Sequence, residues 1–187
     1  MAIAIAIAIS TIVFSAPVYK ELPDSEIYSS VINHGLDSHA EIVVIAEKTS
    51  GLISELGPNN EIEKIIEVLD IEKETYIDWG KRNREKVNFN SVLNLTVPYV
   101  LLPKKKQEMI FDQPDVKTAW REFSDTYDGA RNLLRFSRVG YNYKITNALV
   151  YVEHLCGIEC SSGRFIALRL IDDQWVVKGS NLIWVAY

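Results

Sequence analysis

The chain changes its hydrophobic rhythm several times, and each change predicts an element. Asp24 or Ser25 precedes Glu26–Gly35, where Ile27, Val31 and Ile32 recur at helical spacing and Gly35 can close the helix in a left-handed conformation. Glu41–Ala46 is a continuous, largely β-branched run and reads as a buried strand. After a Gly57-Pro58-Asn59-Asn60 turn, Ile62, Ile65, Ile66 and Leu69 mark a short amphipathic helix. Another helix begins at Asp70 or Glu72, carries Tyr76, Ile77 and Trp79, and is expected to stop near Gly80. Asn94–Leu102 is apolar but holds Pro98, which cannot donate to a ladder, so it is expected at an edge or bulge. Met109-Ile110-Phe111 is a short apolar segment, and Asp115–Tyr127 is helical with Trp120, Phe123 and Tyr127 on one stripe. From Leu133 onward the chain is nearly all strand and turn.

Helices segregated from a terminal run of strands predict an α+β domain. The expected picture is a twisted antiparallel sheet, with a C-terminal meander and with the N-terminal and central helices packed on one face. Residues 21–187 are expected to form one domain, since no repeat or low-complexity linker divides them. Residues 1–20 stand apart. Ala2–Ile9 alternates Ala and Ile strictly, and Thr11–Ala16 stays apolar before Pro17. An export signal fits the apolar stretch and the small residues Ser15 and Ala16, although no Lys or Arg precedes it. A covered strand fits the period of two. A membrane-spanning helix would need about 20 apolar residues, more than this run supplies.

The formal charge is −5, from 20 Lys and Arg against 25 Asp and Glu. Such a chain has no strong basic field for a phosphate backbone, which argues against nucleic acid as the main ligand. Lys104-Lys105-Lys106 follows a proline and reads first as a solvated loop. No dinucleotide, P-loop, metalloprotease, EF-hand or nucleophile-elbow motif occurs. The aromatic residues of the second half read as core and cross-strand pairs.

Residues 136–187 carry Ser137-Arg138-Val139-Gly140-Tyr141-Asn142, then Ala148-Leu149-Val150-Tyr151-Val152, then Cys156-Gly157 with Cys160 and Gly163, then Trp175-Val176-Val177 and Trp184-Val185-Ala186. This succession resembles an uncharacterised bacterial family of small, mostly exported proteins. Upstream, Val43–Ser50, Thr75 with Asn83, and Trp120–Phe123 also fit the resemblance. The family pattern has glycine after the second cysteine, where this chain has Ser161. The resemblance implies export and no particular activity.

Cys156 and Cys160 are the only cysteines. In an oxidising compartment they are expected to form a disulfide, and in a reducing one they would be thiols. His154 shares a strand face with Cys156, so His154, Cys156 and Cys160 are a weak candidate metal set that lacks a fourth ligand. Arg138 can take a carboxylate or phosphate bidentately, or pair with Glu153 across a strand. His34 and His39 flank a helix end, where exposed polar residues are ordinary. Glu47-Lys48-Thr49 closes a strand and is either functional or a local hydrogen-bonding device.

Three functions fit these residues. The first is a non-enzymatic binding or interaction domain, exported or envelope-associated, with an unspecified protein or small molecule as partner. It needs no cofactor, binds no nucleic acid and touches membrane only through an uncleaved N-terminal segment. The second is a small enzyme with a polar pocket around Ser137, Arg138, Glu153 and His154. The third is a cytosolic acidic partner-binding protein of inhibitor or immunity type.

Overall fold

The computed structural model describes residues 22–36, 40–51, 59–157 and 159–186. The apolar N-terminal segment, His39 and the Gly57-Pro58 part of the expected turn lie outside them. The chain runs α1 (Asp24–Val31), β1 (Val43–Ala46), α2 (Asn59–Leu69), α3 (Lys73–Arg82), β2 (Tyr99–Leu102), α4 (Lys104–Phe111), α5 (Val116–Thr126), β3 (Leu133–Phe136), β4 (Gly140–Tyr141), β5 (Asn147–Leu155), β6 (Ser162–Ile171) and β7 (Gln174–Val185). The α+β class is as expected.

Among the described residues the strands form one seven-stranded sheet in the order β2-β1-β3-β5-β6-β7, with β4 on β5. Strands β5, β6 and β7 are the expected antiparallel meander. The other half is different, because β1 pairs in parallel with both β2 and β3. Parallel neighbours need long crossovers, and the helices between β1, β2 and β3 supply them. Helices therefore cover both faces rather than one. Ile27, Tyr28 and Val31 of α1, with Ile32 just after it, pack with Val43, Ile45, Phe136, Val150 and Val152. Ile65, Leu69 and Trp79 of α2 and α3 pack with Leu149, Tyr151 and Phe165 on the opposite face. Ile110 and Phe123 of α4 and α5 pack with Val44, Ala46 and Leu133. The alternation of strand side chains sorts these residues, since successive positions point to opposite sides.

The ends of the elements have local causes. Gly35, at φ 111°, closes the wide turn Ile32–Leu36 that continues α1. The carboxylate of Asp115 accepts from the amides of Lys117 and Thr118 and so starts α5. Pro98 keeps β2 short and at the sheet's edge, while its carbonyl accepts from Val43 N. Lys104–Lys106 is the first turn of α4 rather than a loop, and Glu47 Oε2 accepts from Lys104 N at 3.0 Å. Gly80 does not end α3, which runs on to Arg82 with Asn83 as its cap.

Cys156 and Cys160 are joined as a disulfide, with Cα atoms 5.6 Å apart. Ser161 Oγ accepts from Cys156 N and donates to Gly157 O, which ties the turn from inside. Closing so short a loop contributes roughly 2 kcal/mol by the loop-closure relation. That is about what burial of one branched side chain contributes, so the bond stiffens the hairpin while the core holds the fold.

Candidate functional site

The carboxyl ends of β1 and β3 lie side by side, because the two strands are parallel neighbours. The chain leaves β1 through Glu47-Lys48-Thr49 and β3 through Ser137-Arg138. Residues 87–89 are laid against the first of these exits. Thr49 N donates to Val87 O at 3.0 Å, Val87 N donates to Thr49 Oγ1 at 3.0 Å, and Phe89 N donates to Glu47 O. Ser50 N donates to Phe136 O at 2.9 Å and fastens the two exits together.

Ser137 is fully buried and acts as a junction. Its hydroxyl accepts from Trp79 Nε1 at 2.9 Å and from Tyr151 N at 2.8 Å, and donates to Arg138 O at 2.9 Å. Its carbonyl accepts from Tyr28 Oη at 3.0 Å. A hydroxyl held on all sides by the fold positions backbone; it is not presented to a substrate.

The next residue is clamped by Asn83, also fully buried. Arg138 N donates to Asn83 Oδ1 at 2.8 Å, and Asn83 Nδ2 donates to Arg138 O at 3.0 Å and to Trp79 O at 2.8 Å. The peptide of Arg138 is thereby fixed to the end of α3, and its partly buried side chain reaches a cleft of about 460 Å³ at the start of α1.

Among the described residues, Arg82 and Arg138 bring two guanidinium groups to this cleft, against one carboxylate, that of Asp24. Asp24 is already engaged. It takes Arg82 at 3.2 Å and the Tyr141 hydroxyl at 2.9 Å. Arg82 also donates to Val139 O and lies over the Tyr141 ring. Among the described residues the Arg138 guanidinium donates to Arg82 O, at 3.3 Å, and has no ion pair. Tyr28, Asn88, Phe89 and Ser91 complete the wall with a ring edge and short polar groups. The cleft therefore pairs one spare cation with hydrogen-bonding groups and an apolar flank.

Burial pushes both phenols of this cluster well above the usual tyrosine range. The Asp24 charge adds to it for Tyr28, and for Tyr141 so do the Asp24 charge and the hydrogen bond to it. Unfolded, these phenols ionise near pH 10; folded, they resist. The stability they carry is complete below about pH 10 and is lost as pH rises above it, at about 1.4 kcal/mol per pH unit for each phenol. Urea midpoints should fall steeply between about pH 10 and 11, and Tyr28→Phe should flatten that fall. A flat profile for the wild type would show that neither phenol resists ionisation.

The four residues of the expected polar pocket do not converge. Ser137 and Arg138 are adjacent at the end of β3, but Glu153 and His154 are successive residues of β5 and point to opposite faces. Glu153 pairs with Arg135 at 2.8 Å, not with Arg138. The cause is register: Arg135 lies directly across from Glu153, while Arg138 lies beyond the end of β3. His154 lies opposite Leu134 and Ser162. The set His154, Cys156 and Cys160 is not assembled for a metal, since the sulfurs bond each other and no group of three such side chains comes together among the described residues.

Asp24, Tyr28, Arg82 and Asn83 were not expected at the site. Asp24 or Ser25 is the expected cap of α1; neither caps it, since Asp24 is the helix's first residue and its carboxylate turns to Arg82 and Tyr141. Asn83 carried a signal only through the family resemblance, and Tyr28 none beyond its helical face. No helix among the described residues is long and apolar enough to cross a membrane. No family model, no curated protein and no solved structure matches this chain.

Proposed function

We propose that this protein is a non-enzymatic binding domain, exported or envelope-associated, whose cleft at the start of α1 takes the carboxylate or phosphate of a small organic anion on Arg138. The observation that carries this reading is the unpaired guanidinium of Arg138 beside a carboxylate already committed to Arg82 and Tyr141. A guanidinium offers a planar fork that matches an oxyanion pair. Clamping of its backbone by Asn83 lowers the ordering cost of binding. Phe89 and Val92 give the ligand's body an apolar wall. Export is favoured by the Cys156–Cys160 bond, since structural disulfides persist in oxidising compartments. The exported family that residues 136–187 resemble belongs to the same reading.

Benzoate and phenyl phosphate, with benzamide as uncharged control, test the cleft by calorimetry at constant ionic strength. Both anions should bind and benzamide should not. Arg138→Gln should weaken the anions by at least about tenfold, the value of one charge-assisted contact. Equal binding of benzamide and benzoate, or an unaltered affinity in Arg138→Gln, would refute the assignment. Protein recovered from its natural compartment should gain two hydrogens in mass on reduction; free thiols there would remove the support for export.

A further inference from the structure

A second hollow, of about 260 Å³, lies at the other end of α1, where the Ile32–Leu36 turn rests over β6 and β7. Among the described residues its lining includes Arg164, Lys178 and His34, and no carboxylate. None of these three has an ion pair among the described residues. In a chain that carries −5 overall, this is a local excess of basic groups that bulk composition does not produce.

Arg164 is the informative member. Its Nε–H is buried and has no acceptor, although the side chain is only partly covered. Its Nη2 has one long contact, 3.5 Å, to Ser162 Oγ. Nε–H and Nη2–H lie along one edge of the guanidinium, the edge that grips two oxygens of one anion. A desolvated N–H without an acceptor is costly to keep. Ordinary packing would place a carboxylate here, as it does for Arg135 and Arg82. The register shift between Gly163 and Arg164 passes over Ile183 of β7, and Arg164, paired with Leu182, follows it directly, beside the hollow. Ile166 and Val177 give the hollow an apolar floor.

We propose that this hollow is a second, separate binding site, for a tetrahedral oxyanion of phosphate or sulfate type, gripped by the Arg164 guanidinium with Lys178 and His34 at the rim. It is independent of the Arg138 cleft, because the two share no lining residue.

The test is a side-chain and amide NMR titration of the full chain with inorganic phosphate, inorganic sulfate and, at matched ionic strength, chloride. Phosphate or sulfate should move the Arg164 Nε–H resonance together with the amides of Gly35 and Gly179, and chloride should not; the stronger of the two names the preferred anion. Arg164→Met should weaken the response of Gly35 and Gly179 by at least about tenfold, and its thermal midpoint should not fall, since the substitution removes an unpartnered donor. Arg164→Lys, which retains the charge without the fork, should fold as the wild type does and bind more weakly. Arg138→Gln should leave this response intact, so that failure here and failure of the first cleft are told apart. Equal shifts with chloride, or a phosphate response that survives in Arg164→Met or is undiminished in Arg164→Lys, would overturn the assignment.

Discussion

Trp79→Ala is expected to destabilise the protein by about 4 kcal/mol, in the range for truncating a fully buried tryptophan. Set against a typical total of about 5–15 kcal/mol, that brings the domain close to unfolding. Trp79 sits where α3 meets the sheet. Its ring meets Phe165 edge-on at 4.8 Å and Tyr76 at 5.7 Å, and its Nε1–H donates to the buried hydroxyl of Ser137. The surroundings cannot collapse to fill the gap easily. A Cβ added to Gly140 would come within 2.4 Å of Trp79 backbone and Cβ, so β4 already lies directly against α3. Urea unfolding measures the loss. Trp79→Phe separates its parts, since the ring volume is mostly kept while the donor to Ser137 goes; it should cost clearly less. A loss below about 1 kcal/mol for Trp79→Ala would mean that α3 is not a core element.

Asn83→Ala is expected to cost about 2–3 kcal/mol and, unlike Trp79→Phe, to weaken anion binding although Arg138 remains. The stability part follows from the Arg138 amide, whose partner is Asn83 Oδ1 at 2.8 Å; without it a partly buried N–H is left without that acceptor. The Arg138 carbonyl keeps its bond from Ser137 Oγ, so the loss is partial rather than total. The binding part follows from geometry. Asn83 ties the peptide of Arg138 to the end of α3, and a freed peptide lets the guanidinium wander before it binds. Calorimetry with benzoate should therefore show a weaker constant in Asn83→Ala, with Arg138→Gln weaker still. Unchanged benzoate affinity in a folded Asn83→Ala protein would show that the clamp serves stability alone.

Much of the fold follows from local rules. The Asp115 cap, the left-handed Gly35, the edge position of the strand after Pro98 and the meander of β5 to β7 each rest on residues a few positions apart. The parallel placement of β1 does not, because strand neighbours are chosen by tertiary packing of helices that cross between them. The same limit separates the two arginines near β3. Arg135 and Arg138 are equally plausible partners for Glu153 by charge, and only the register settles the pair in favour of Arg135. That choice leaves Arg138 without its expected carboxylate, which is what turns an ordinary surface arginine into a candidate receptor. Asn83 and Asp24 were illegible for a related reason: their side chains act across more than fifty residues of sequence, on Arg138 and Arg82.

A crystal structure of the protein grown with benzoate bears most directly on the central claim, that the strand exit at Ser137-Arg138 holds a spare guanidinium ready for an anion. The carboxylate should lie within hydrogen-bonding distance of Arg138, with the Asn83 and Ser137 contacts unchanged around it. Arg138 paired with a carboxylate of its own chain, and benzoate bound elsewhere or not at all, would contradict it.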